Sequence, residues 1–153
     1  MAVMTRWLDQ DEQRTWRAFL AASRGLMDAL DRELQRDAGM PHAYYEILVR
    51  LSESPERALR MSELADATGS SRSRLSHAVA RLESAGWVRR EECPTDRRGQ
   101  VAHLTDAGFA TLAAAAPGHV EGVRRHLFDA LTPAQVDQLR RISESLVEHL
   151  TGS

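Results

Sequence analysis

The densest group of hydrogen-bonding and cationic side chains in this 153-residue chain lies between Ser70 and Gln100. Ser71-Arg72-Ser73-Arg74-Leu75-Ser76-His77 packs hydroxyl, guanidinium and imidazole groups into about two helical turns. Asp96-Arg97-Arg98 follows further along. Such donors suit phosphate oxygens and the edges of DNA bases. At about 100° per residue, Leu75, Val79, Leu82 and Gly86 fall on one side of a helix, and Ser73, His77, Ala80 and Ser84 fall opposite. Arg74 and Arg81 occupy one shoulder, Ser76 and Glu83 the other. Small polar residues let a helix backbone approach a groove floor. The N-terminal residues of a groove-reading helix make most base contacts. Ser73, Arg74 and His77 are therefore predicted to touch bases, with Ser71 and Arg72 on phosphate and Ser76 on the flank of the same surface. The helix N-terminus itself also favours a phosphate.

Pro94-Thr95-Asp96-Arg97-Arg98-Gly99 has the composition of a hairpin loop between two short strands, Trp87–Glu92 and Val101–Leu104. A basic hairpin directly after a helix-turn-helix is a wing. At its tip Arg97 and Arg98 are placed to enter a minor groove, whose negative potential attracts arginine. Asp96 is placed to orient one guanidinium through a charge-assisted hydrogen bond.

The overall charge of −2 hides this asymmetry. Residues 1–69 carry 9 Arg and 12 acidic residues, and residues 101–153 carry 4 Arg and 6 acidic residues. Residues 70–100 carry 7 Arg against 4 acidic residues, a local excess of the kind that binds phosphate. The single cysteine, Cys93, excludes an intrachain disulfide and fits a reducing compartment. At the base of the wing it reads as structural. Met1 to Gln13 lacks a basic segment followed by an apolar one, and no apolar run is long enough to span a bilayer. A cytoplasmic protein without membrane contact is expected. No paired cysteines, glycine-rich phosphate loop or His-Glu-x-x-His appear, so neither catalysis nor a bound metal or cofactor is expected. His119 and His126, seven residues apart, are a weak metal signature.

Apolar spacing supplies the elements that position these groups. Residues 11–37 form an amphipathic helix ended by Gly39, and Pro41 opens a second helix that stops near Ser54-Pro55. A short third helix, N-capped by Ser62, ends at Gly69. The recognition helix begins at Ser70 or Ser71 and runs to Ala85-Gly86. Two helices joined so tightly must cross steeply. After the hairpin a helix resumes at Thr105, with a kink or break expected at Pro117-Gly118. Thr132-Pro133-Ala134-Gln135 then opens a last helix with a capping box. The fold class is mainly α with a small β-hairpin wing, as one domain over 1–153. Its reader lobe covers about 41–105, and long flanking helices cover about 11–38 and 106–150. These helices cannot all bury their apolar stripes on so small a centre, and they predict packing against a second copy.

Read together, Gly69 to Arg90, Asp96-Arg97-Arg98 and Leu104-Thr105-Asp106-Ala107-Gly108 resemble the MarR family of bacterial regulators. The family's wing signature, Asp-x-Arg followed by Leu-Thr-x-x-Gly, matches at Asp96, Arg98, Leu104, Thr105 and Gly108. The resemblance implies a winged helix-turn-helix homodimer, acting as a repressor, that reads a pseudo-palindromic duplex DNA operator. It assigns Arg98 to the minor groove and Ser73, Arg74 and His77 to bases. It also implies release by a small aromatic or anionic organic ligand bound between the dimerisation helices and the DNA-binding lobe. Trp16, Arg17, His42, Tyr44 and Tyr45 offer stacking surface and a cation for such a pocket, or else fill the core and the subunit interface. A winged-helix module that binds protein rather than DNA is the alternative reading, disfavoured by the arginine-rich outer face.

Overall fold

The structure is a computed structural model that describes residues 4–152, excepting the side chains of Asp96, Arg97 and Arg98. Helix α1 (Gln10–Ala38) starts at a capping box in which Asp9 accepts from the Glu12 amide and Glu12 from the Asp9 amide. It ends at Gly39, whose φ of 66° is left-handed. Helix α2 (His42–Ser52) follows, with Pro41 at the N-cap rather than in the first turn. A 3₁₀ turn, Pro55–Arg57, leads into strand β1 (Ala58–Arg60) and helix α3 (Met61–Thr68). Gly69, at φ 63°, closes α3, and the Ser70 amide donates back to the Ala65 carbonyl. Helix α4 (Arg72–Ser84) begins after three residues, capped by Ser71, which accepts from the Arg74 amide at 3.2 Å.

Strands β2 (Val88–Cys93) and β3 (Asp96–Leu104) form the hairpin, and β1 adds to the far side of β3, giving an antiparallel sheet of order β1-β3-β2. Helix α5 (Asp106–His126), a 3₁₀ turn (Phe128–Ala130) and helix α6 (Pro133–Thr151) complete the chain. The predicted capping box at Thr132 and Gln135 is present.

Three local expectations are corrected. Ser62 does not cap α3, which opens two residues earlier than that cap implies, at Met61 after Arg60, with no side-chain cap. The pairing of Arg60 with Val101 holds the chain extended up to that residue, so the helix starts where the strand stops. The hairpin turn is Pro94-Thr95 alone, and Asp96 to Gly99 belong to β3, with a register irregularity at Glu92 and Cys93. Finally, α5 does not break at Pro117. Pro117 is exposed, so water can satisfy the carbonyl it leaves unpaired, while Leu112 and Gly122 are buried on either side.

The core belongs to the reader lobe. Met40, Leu48, Leu51, Leu64, Leu75, Val79 and Leu82 are fully buried, and Leu34 of α1 and Leu112 of α5 dock against them. Helix α5 approaches α1 closely at Gly122, where an added Cβ would lie 2.5 Å from a Glu33 carboxylate oxygen. That carboxylate accepts from Arg125 and pairs with His126, both at 2.6 Å. Hydrogen bonding to His126, reinforced by Arg125, holds it below the usual glutamate range. No residue of α6 is buried.

Candidate nucleic-acid interface

Burial on α4 divides as the helical spacing predicts. Leu75, Val79 and Leu82 enter the core, whereas Ser71, Arg72, Ser73, Arg74, Ser76 and His77 are exposed. Among the described residues, Arg72, Arg74 and Arg81 meet no carboxylate, unlike Arg36, Arg89, Arg90, Arg125, Arg140 and Arg141. The exposed face of the recognition helix therefore carries uncompensated positive charge, and arginine and serine donors there are open to an incoming acceptor. Two serines have local duties as well. Ser71 caps the helix, and Ser76 accepts from Arg90 Nη1 at 3.3 Å.

Arg90 is the tie between helix and wing. Its Nε donates to Glu83 at 2.6 Å, and its backbone amide donates to the same carboxylate at 3.4 Å. Residues from α4 and β2 are thereby locked across the Gly86 turn. Further out on the hairpin, Glu91 accepts from Arg89 at 2.8 Å and pairs with His103 at 2.6 Å, and the Arg89 hydrogen bond keeps its carboxyl below the usual range. Arg60 of β1 reaches the turn, donating to Thr95 at 3.1 Å. Sequence reasoning placed Glu83 on a helix shoulder and missed Arg90, Glu91 and His103, because helical and strand periodicities are read separately and neither reports a contact between them.

The wing is anchored at its other end by the Leu-Thr-x-x-Gly run. Leu104 is buried, and Thr105 Oγ1 donates to the Gly86 carbonyl at 2.7 Å while accepting from the Gly108 amide at 3.0 Å. The Thr105 amide donates to the Trp87 carbonyl. Gly108 lies so close to that carbonyl that a Cβ would collide with it. The signature is thus a clip holding recognition helix, wing and α5 in one arrangement. The side chains of Asp96, Arg97 and Arg98, predicted for the minor groove, lie outside the described residues; their backbone is strand.

The five residues considered for a ligand pocket do not converge. Trp16 and Arg17 are exposed on the first half of α1, and Arg17 donates to Gln13. Trp16 lies 15 positions, about 22 Å of helix, from Asp31, which accepts from the His42 amide. Tyr44 and Tyr45 diverge. Tyr44 lines a groove against α4, whereas Tyr45 is buried with its ring 4.4 Å from His119 of α5. His42 and Tyr45 do share a cavity of about 320 Å³ with Arg50 and His119. His119 was not anticipated as a partner. Its ring lies 5.5 Å from His42, its Nδ1 is buried without a hydrogen bond, and burial pushes its pKa down. His126 turns instead to Glu33, whose charge also reaches His119.

Comparison with known proteins agrees with this geometry. The MarR family model matches residues 38–99, the reader lobe. The fold superposes with a TM-score of 0.92 on Sco3205 of Streptomyces coelicolor, a MarR family transcriptional regulator solved in complex with DNA. That protein is 57% identical, with 95% of this chain and 92% of that one covered. AbsC, a MarR family regulator of the same organism, is 47% identical over 97% of this chain and all of its own, with a TM-score of 0.91. The transcriptional repressor MprA of Escherichia coli is 30% identical over 112 residues. There the match covers 73% of this chain and 63%, less than two-thirds, of MprA's length. With its reader lobe, its wing clip and near-full-length relatives in agreement, the chain belongs to the MarR family of transcriptional regulators.

Proposed function

We propose that this protein is a sequence-specific, double-stranded-DNA-binding transcriptional repressor that works as a homodimer in the cytoplasm. The observation that carries the reading is the exposed face of α4, where Arg72, Arg74 and Arg81 have no acidic partner among the described residues and flank small polar side chains. Ser73, Arg74 and His77 read bases. Arg72 holds phosphate, Ser71 and Ser76 support the helix beside it, and Arg98, with Arg97 and Asp96, serves the wing. The DNA complex of the 57% identical Sco3205 supports the same use of this lobe. The apolar residues left exposed on α1 and α6 support the second copy. Two copies present two recognition helices, which suits a pseudo-palindromic operator.

A test is fluorescence anisotropy with duplex DNA from the region upstream of its own gene. Expected is tight binding whose logarithm falls linearly with the logarithm of salt, because each neutralised phosphate releases counterions. Absent or salt-independent binding would favour a winged-helix module that docks on protein.

For a small organic effector, the cavity beside His42, Tyr45, Arg50 and His119 is the better-supported seat, joining α2 of the reader lobe to α5. It combines the rings of His42, Tyr45 and His119 with Arg50, but Glu46 and Glu53 line it too and Glu46 lies 4.0 Å from Arg50, so its chemistry suits an aromatic ligand without favouring an acid. Of the residues first considered, only His42 and Tyr45 line it.

A further inference from the structure

A second concavity, about 570 Å³, opens between the first turns of α2, the end of α3 and the N-terminal half of the recognition helix. Tyr44 projects into it from α2, opposite Ser70, Ser73, Arg74 and His77. The Tyr44 ring is half-buried and packs on the core of the lobe. Its hydroxyl has no hydrogen-bond partner among the described residues. A tyrosine held this way presents a rigid apolar body and an unspent polar tip. Arg74, on the facing wall, also has no side-chain partner among the described residues. With the N-terminal half of α4 in a major groove, the sugar-phosphate strand bordering that groove has to pass along the helix pair that precedes it.

We infer that Tyr44 is a further DNA-positioning residue, whose hydroxyl donates to a backbone phosphate seated between α2 and the first turns of the recognition helix. The inference rests on the DNA-binding reading above and adds to it a residue of α2, which the sequence analysis considered for a ligand pocket and not for DNA. One carboxylate lines the groove, that of Glu46, and it lies 4.0 Å from Arg50. Glu46 also borders the neighbouring cavity, so its charge stands at the divide between the two and not across from Tyr44. A phosphate held by a neutral donor on α2 fixes the register of the protein on the duplex without reading a base.

The test is Tyr44→Phe in the full chain, which removes one oxygen and keeps the packed ring. Anisotropy is measured on a duplex from upstream of the gene and on a scrambled duplex of equal composition. The expected result is binding about tenfold weaker on both duplexes, as for loss of one hydrogen bond to a charged acceptor. The salt slope and the melting temperature stay unchanged, because a neutral hydroxyl releases no counterion. Scanning the duplex with single methylphosphonates then shows one position whose penalty in the wild type shrinks in Tyr44→Phe. Wild-type affinity in Tyr44→Phe, or a loss confined to one sequence, overturns the inference while leaving DNA binding intact. Failure of the wild type to bind either duplex sinks both readings.

Discussion

At the scale of single residues, the proposed reading gives Arg74 and Arg98 different work, and their substitutions separate the roles. Arg74, in the first turn of α4, has no carboxylate partner among the described residues. Arg74→Ala is expected to cost about 1–3 kcal/mol on the preferred sequence and much less on unrelated DNA, as for one bidentate base contact. An equal loss on every sequence in a competition assay would reduce it to phosphate positioning. Arg98→Ala is expected to weaken operator binding with the assembly and melting temperature unchanged; unaltered affinity would take the wing out of the interaction. His119 carries a pH prediction. Its neighbours are His42 and Tyr45 on α2 and Glu33 on α1, and desolvation, with His42 adding to it, holds it below the ordinary imidazole range. The fold therefore favours neutral His119. As pH falls below about 6.5 the unfolded chain takes up a proton that the folded one resists, so stability declines. Denaturant midpoints are expected to drop over that window and to drop less in His119→Phe. The Glu33 carboxylate, paired with His126 and Arg125, adds its own loss only at lower pH, through and below the carboxylate range.

Among the elements, the relation of helix α4 to the wing decides whether the arginines of both reach one duplex. Two devices set it: the Glu83–Arg90–Ser76 tie, and the clip at Thr105 and Gly108. Gly108 is the more stringent. A methyl group there meets the Trp87 carbonyl, which is backbone and already accepts from Thr105, so something must shift. Gly108→Ala is expected to destabilise the lobe by about 1–3 kcal/mol, seen as a lowered denaturation midpoint. A midpoint matching the wild type would mean that the contact relaxes freely. The spacing of apolar residues made the helices legible, and Gly39, Gly69 and Thr132 marked their ends, because caps are written in local chemistry. Strand β1 was illegible. Three residues are too few to show alternation, and their extended form comes from pairing with β3, more than 40 positions downstream.

The whole molecule leaves one surface that a single chain does not explain. Ile142 and Val147 are each 59% exposed and Leu150 79%, on a 19-residue helix with no buried residue. Trp16 and Phe19 are half exposed on the first half of α1. Apolar surface on this scale marks an interface, which is why a second copy is proposed to cover it. Introducing charge with Ile142→Glu and Leu146→Glu together is expected to yield monomers in sedimentation and to abolish tight operator binding. A wild type that sediments as a monomer at micromolar concentration would refute the dimer.

The sequence by itself determined the helices, the helix-turn-helix and its polar outward face, because amphipathic period and caps are local properties of the chain. It also foresaw the hairpin, though with a longer turn than the two residues found. Only the tertiary structure decided which of those groups act together. Arg90 was one charge in a basic strand until packing set it against Glu83, and the proposed pocket residues were separated by the rigid length of α1. Tyr44 and Tyr45, neighbours in sequence, face different cavities because adjacent residues on a helix point about 100° apart. Arg72, Arg74 and Arg81 stand on the exposed face where the helical spacing first placed them. What the fold added is their support: a clip at Gly108, a tie at Arg90, and α2 standing beside the groove that Arg74 shares.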